Sequence, residues 1–229
     1  SREEDTQHEF YLPNSMRCFQ IGLDKDGIPI QWKSQIAQPN VFARYIAPLR
    51  WFDFDPFAIA GAVHDYGMFP DHFYKVKGVG SNHTGVELGV PTGSWRAPPN
   101  SINVFYTDSI MDELAYLAEI DPLEYRLKFL TKSPRHKSVL EQVAKQSGWG
   151  NNLPKGHGRG ISINDWPPGA DAVTVVAEVA EVSITSRGKL KVHRVDCVVD
   201  CGLAVNPDSV KAQMEGSIIM GMSAALFEK

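Results

Sequence analysis

Hydrophobic and polar positions change their spacing twice along this chain of 229 residues. The first regime has period two. Residues 16–23 and 28–37 are β-prone runs joined by Asp24-Lys25-Asp26-Gly27. Asp-Gly between such runs is a strong hairpin signal. In the second run Ile28, Ile30 and Trp32 are expected on one face, which Ile36 continues, because alternate strand residues point the same way. Residues 72–77 read as another strand, and residues 78–89 as a glycine-rich connection.

Helical spacing then takes over, after a capping-box form at Ser1-x-x-Glu4 near the start of the chain. Residues 102–118 are apolar on every side, with Phe105, Ile110, Leu114 and Leu117 among them, the pattern of a buried helix. Asp121 as cap, Pro122 at the first position and Glu124 at the third announce another helix. Leu123, Leu127 and Leu130 carry its apolar stripe. A further helix over residues 135–147 turns Val139, Leu140, Val143 and Ala144 inward and stops at Gly148.

After Trp149 the period returns to two. Residues 151–160 read as a loop, and 161–164, 173–185 and 190–200 as strands, the last two turned by Arg187-Gly188. Neither alternate set of the middle strand is cleanly polar, so it is expected to be covered on both faces. Asn206-Pro207-Asp208 opens a final helix, with Asn as cap and an acid at the positive dipole end. Along it Ser217, Gly221 and Ala225 form a small-residue stripe, suited to tight helix packing or to close approach of a ligand. Strands, then helices, then strands again place the chain in the α+β class. The change of composition suggests two parts, residues 1–150 and 151–229.

Composition narrows the options. The hydrophobic share of 43% is ordinary for a globular chain and supports a real core. A net charge of −4 recommends no nucleic-acid partner. No apolar run reaches the length of a membrane span, and no secretory signal is visible. Cys18, Cys197 and Cys201 contain no CxxC pair, and an odd number argues against a complete disulfide set. Cys197 and Cys201 are expected to behave as small buried hydrophobes.

Common catalytic motifs are missing: no Walker loop, no G-x-S-x-G, no H-E-x-x-H and no Rossmann fingerprint. The histidines show no metal-ligand spacing. Asp112 and Glu113 are adjacent on a helix and diverge by about 100 degrees, so they do not share a proton. The loop before the first long helix differs. Pro91, Gly93, Pro98 and Pro99 stiffen its main chain, and Arg96 offers a planar fork suited to anions. Gln213 carries a carboxamide that can both donate to and accept from a heterocycle edge. A structural ion pair for Arg96 and a solvent-facing role for Gln213 remain open from the residues alone. Trp51, Phe52, Phe54 and Phe57 crowd around Asp53 and Asp55, either as a loop packed on its own domain or as a surface for a partner.

Five groups of residues, in one order, carry a family resemblance. They are Ser1-Arg2-Glu3-Glu4-Asp5 with His8 and Tyr11, and residues 90–96 in the form G-V-P-x-G-x-W-R. The helical pair follows, with Asp112-Glu113-Leu114-Ala115 and Asp121-Pro122-Leu123-Glu124-Tyr125-Arg126. Then come Pro134-Arg135-His136 with Gly148-Trp149-Gly150. Last are Asp200-Cys201-Gly202 and Asn206-Pro207, leading to Gln213-Met214-Glu215-Gly216. Together they resemble the large molybdenum-binding subunit of the xanthine oxidase/aldehyde oxidase superfamily. The branch they resemble most is that of the isoquinoline 1-oxidoreductase beta subunits.

The resemblance implies a molybdopterin cofactor, in the cytosine dinucleotide form. It implies hydroxylation of an N-heterocycle or an aldehyde with oxygen from water, and electrons leaving through 2Fe–2S clusters on a separate small subunit. It implies that Trp95 and Arg96 lie at the molybdenum ligand sphere, and that Gln213 and Gly216 approach the pterin. The family's G-G-G-F-G, G-Q-G and G-E-P segments are not found, so no residue here is assigned as catalytic base or metal ligand. Asp165-Trp166-Pro167-Pro168-Gly169 departs from the family pattern. The chain is therefore expected to be an internal portion of a longer subunit, empty and inactive alone. Relatives in this branch often carry an export signal, which leaves a periplasmic address open beside a cytoplasmic one. The rival expectation is a non-catalytic docking module that uses the aromatic face over residues 51–57.

Overall fold

A computed structural model describes residues 3–8, 10–40, 74, 76, 78–93, 100–166 and 174–227. Their contacts gather the chain into two compact units, Ser1–Tyr125 and Arg126–Lys229. The elements are mixed α+β, as expected.

The first unit opens with a short helix, α1 (Glu3–Gln7). Strand β1 (Met16–Leu23) pairs antiparallel with β2 (Pro29–Gln38), and β3 (Val79–Gly85) runs parallel along the other edge of β2. The hairpin forms where the sequence places it. Asp24 Oδ1 accepts from the main-chain N–H groups of Asp26 and Ile28, each at 2.9 Å. Gly27 has φ 74, and a Cβ there would come within 2.6 Å of the Ala118 side chain.

Two expectations fail in this sheet. Ile30 does not share the buried face of Trp32, Ser34 and Ile36 and is 53% exposed. Gly22 pairs with Gln31 and Leu23 with Pro29, so Ile30 is the extra residue of a bulge and leaves the alternation. The glycine-rich connection is also a strand over Val79–Gly85. Its register runs from Trp32↔Val79 to Gln38↔Gly85, and the Ser34 and Ser81 hydroxyls meet at 2.9 Å. The strand expected over residues 72–77 falls mostly outside the described residues. Within it, Tyr74 is buried and its hydroxyl donates to Asp108 at 3.2 Å.

Helix α2 (Asn100–Leu117) is not buried all round. Its inward face is Asn103, Thr107, Asp108, Met111, Leu114 and Ala115, a single helical stripe. Phe105, Tyr116 and Leu117 are exposed instead. Polar residues occupy half of that stripe because partners reach them: Arg17 donates to Asn103 Oδ1, and Tyr74 to Asp108. Asp121 then caps α3 (Pro122–Phe129), accepting from the N–H groups of Leu123 at 2.9 Å and Glu124 at 3.2 Å. Tyr125 and Arg126 are its fully buried residues, while Leu123 and Leu127 are half-buried. The Tyr125 hydroxyl donates to the Gly27 carbonyl at 2.8 Å. Burial, then the nearby Asp24 charge, push its pKa up to about 12.

In the second unit a 3₁₀ turn (Leu130–Lys132) leads into α4 (Pro134–Ser147). That helix lies across an antiparallel sheet of β4 (His157–Trp166), β5 (Thr174–Ile184) and β6 (Leu190–Asp200), with β5 central. Val139, Leu140, Val143 and Ala144 of α4 are buried, as are Ile161, Ile163, Val175, Ala177 and Val179 of the sheet. Gly148 ends α4 in the left-handed conformation, φ 68. Strand β4 starts at His157, opposite Ser183, where a loop was expected to run on to residue 160. Cross-strand pairing extends it beyond its apolar centre. The second face of β5 is half-buried, so cover is complete on one side and partial on the other. Asn206 Oδ1 caps α5 (Pro207–Leu226) by accepting from Ser209 N at 3.1 Å. Among the described residues, no helix is long and apolar enough to cross a membrane.

Candidate functional site

In the first unit, two of the segments singled out above meet. Tyr11 and Thr92 form a parallel bridge. Tyr11 N donates to Pro91 O at 2.8 Å, and Gly93 N donates to Tyr11 O at 3.1 Å. Thr92 is buried, and Gly89 turns the chain into this arm with φ 69. The main chain that enters the Trp-Arg loop is thus pinned at both of its hydrogen-bonding edges. Trp95 and Arg96 themselves lie outside the described residues, as does the aromatic face over residues 51–57.

In the second unit, the first turn of α4 meets the ends of two strands. Arg135 grips Asp200 at the end of β6: Nε to Oδ2 is 2.8 Å, Nη2 to Oδ1 is 2.9 Å, and Nη2 also donates to the Asp200 carbonyl at 3.3 Å. A two-point fork of this kind is geometrically specific as well as charged. Asp200 Oδ1 further accepts from Gly202 N at 3.0 Å. These donors, Arg135 first, hold the Asp200 carboxyl down at about 2. The next residue, His136, places Nε2 3.0 Å from Asp165 Oδ2 at the end of β4, with both side chains about nine-tenths buried.

Sequence reasoning did not find the Arg135–Asp200 pair. Both residues stood in singled-out segments, but they are 65 positions apart. Only an arginine in the first turn after Pro134, and an aspartate at a strand end, hinted at it.

From Asp200 the chain turns through Cys201 and Gly202, which is left-handed at φ 70, and enters α5. Gln213 and Gly216 are three residues apart and so share one helix face. Both are exposed. A Cβ added at Gly216 or Gly221 would meet nothing within 4 Å. Ser217 and Ala225 are exposed too, so tight helix packing along the small-residue stripe does not occur among the described residues. Glu215 faces Lys211 across one helical turn at 3.7 Å, an exposed pair.

The cysteines are free thiols. Cys197 is half-buried on β6, opposite Glu178 of β5. Burial, then the Glu178 charge, push the thiol up to about 12, and burial also raises Glu178. Such a thiol is unreactive. Among the described residues, no group of three or more His, Cys, Asp or Glu side chains is arranged to hold a metal.

A family model described as a molybdopterin cofactor-binding domain matches residues 108–229. The chain belongs to this family. It is 39% identical over 126 residues to the beta subunit of isoquinoline 1-oxidoreductase from Brevundimonas diminuta, covering 55% of this chain and 16% of that protein. It is 31% identical over 229 residues to the second, B-type subunit of nicotinate dehydrogenase from Pseudomonas putida, covering 91% of this chain and 18% of that protein. It is also 28% identical over 194 residues to a membrane-bound aldehyde dehydrogenase [pyrroloquinoline-quinone] of Gluconacetobacter polyoxogenes, covering 76% of this chain and 24% of that one. The chain thus spans between a sixth and a quarter of the length of these relatives. The matched molybdopterin-binding region contains α4, the sheet of the second unit, the Arg135–Asp200 pair and all of α5.

Proposed function

We propose that α5 forms one wall of a molybdopterin site in a molybdenum-dependent oxidoreductase, with Gln213 and Gly216 facing the pterin. The observation that carries this is Gly216. A glycine inside a helix costs about 1 kcal/mol relative to alanine, and here no neighbouring atom lies within 4 Å of where its Cβ would be. Packing within the chain therefore gives no reason for it. A flat heterocycle approaching the helix backbone does, and the Gln213 carboxamide, three residues before it, can donate to and accept from that heterocycle's edge. The residues fit the group.

The bound molybdenum centre supplies hydroxylation of an electron-poor carbon with oxygen from water. This chain's part is to bind and orient the cofactor. Gln213 fixes the pterin edge, Gly216 permits main-chain approach, and the pinned arm at residues 91–93 carries the main chain towards Trp95 and Arg96. Those two keep the role that the resemblance gives them, at the metal's ligand sphere. No residue of the chain acts as base or metal ligand. The cofactor is the cytosine dinucleotide form. The substrate is an N-heterocycle or an aldehyde, the classes after which the relatives are named. A small 2Fe–2S subunit takes the electrons, in keeping with two relatives that are themselves subunits of larger enzymes.

Gly216→Leu in the intact subunit tests this reading. Leucine is a good helix former and meets nothing in the chain, so the unfolding midpoint stays or rises. Molybdenum per protein, measured by elemental analysis, falls on the order of tenfold. Full metal loading would overturn the assignment.

A further inference from the structure

We propose that Arg135 is a positioning residue whose grip on Asp200 sets the direction in which α5 leaves the sheet, and so the presentation of Gln213 and Gly216. This rests on the reading of α5 given above. Helix α5 buries none of its side chains among the described residues. Side-chain packing therefore does not fix its axis, and the turn that launches it does. That turn is built link by link. Arg135 binds both carboxylate oxygens and the carbonyl of Asp200. Asp200 Oδ1 in turn holds Gly202 N at 3.0 Å. Gly202 takes the left-handed conformation that redirects the chain, and Asn206 with Pro207 starts the helix.

The other end of the linkage is rigid. Arg135 stands in the first turn of α4, whose Val139, Leu140 and Val143 are buried. His136 independently ties that turn to Asp165 of β4. Losing the arginine therefore leaves α4 docked and frees only the turn. A lysine keeps the charge but cannot form the fork, so geometry rather than charge is what α5 depends on.

The experiment uses the intact subunit with Arg135→Lys, Arg135→Gln and the exchanged pair Arg135→Asp with Asp200→Arg. Amide hydrogen exchange is followed over residues 201–210 and over the buried strand residues 175–179, beside molybdenum content. Both single variants are expected to speed exchange at 201–210 on the order of tenfold, to leave 175–179 protected, and to lower metal content. The exchanged pair recovers part of the protection. The proposal is overturned if Arg135→Lys matches the parent protein, or if protection falls equally across the strand core, which marks a general loss of stability. Faster exchange at 201–210 with full molybdenum content would support the clamp and overturn the cofactor reading of α5, so the two failures are distinguishable.

Discussion

His136 Nε2 lies 3.0 Å from Asp165 Oδ2, one residue beyond the arginine that forks onto Asp200. Consecutive side chains in one helical turn thus secure the ends of two different strands. The His136–Asp165 contact is about nine-tenths buried on both sides. Replacing His136 by alanine takes a partner from a buried carboxyl and costs about 1–3 kcal/mol. Urea unfolding checks this, and a loss below a few tenths would show the contact to be dispensable.

Asp200 makes stability depend on acid. Its carboxyl is held at about 2, below the ordinary 3.8, by Arg135 and then Gly202 N. A folded-state value below the unfolded one means that the contribution is complete above about pH 4. It is lost as pH falls towards about 2. Thermal unfolding between pH 5 and pH 2 is expected to show this decline, and Asp200→Asn to flatten it while lowering stability at neutral pH. An unchanged acid profile in the variant would contradict the assignment.

The three thiols differ in reactivity. Cys18 is exposed, whereas burial and Glu178 push Cys197 up to about 12. At pH 8 the thiolate share of Cys197 is about a thousandfold below that of an ordinary cysteine. Timed alkylation with peptide mass analysis is expected to label Cys18 in the folded protein long before Cys197. Equal rates would mean that the Glu178–Cys197 environment opens readily.

Two helix ends respond to glycine in opposite senses. Gly148 has φ 68, and a Cβ there would sit 2.7 Å from the Asn151 amide nitrogen, so Gly148→Ala is expected to cost about 1–2 kcal/mol. Glu119 follows α2 with φ 55, a left-handed conformation held by a side chain that disfavours it. Glu119→Gly relieves this and is expected to stabilise by about 0.5–1 kcal/mol, net of the added freedom of the unfolded chain. Chemical denaturation of both variants measures the pair, and a matching sign in the two would refute the conformational argument.

Local signals were legible wherever the interaction spans a few residues. Asp24 to Gly27 made the hairpin, Asp121 and Asn206 capped their helices, and Gly148 ended α4, all at the expected residues. The burial of Val139, Leu140, Val143 and Ala144 followed from their spacing. The family was also legible, because its marks are strings of identities that need no folding to be read. Strand β3 was not: its glycines and polar residues become a strand only through parallel pairing with β2. The face of α2 was not either, because Asn103, Thr107 and Asp108 are buried in place of Phe105 and Leu117.

The amino-acid order alone determined the α+β class, the turns and caps, and membership in a molybdopterin-binding family. The folded structure decided which face each element buries, that Ile30 bulges out of its strand, that Tyr11 pins the arm at Thr92, and that Arg135 meets Asp200 across 65 positions. The physical reason is range. A cap or turn satisfies its hydrogen bonds within its own few residues, whereas a buried polar face, a parallel strand or a two-point ion pair exists only once distant parts of the chain have been brought together.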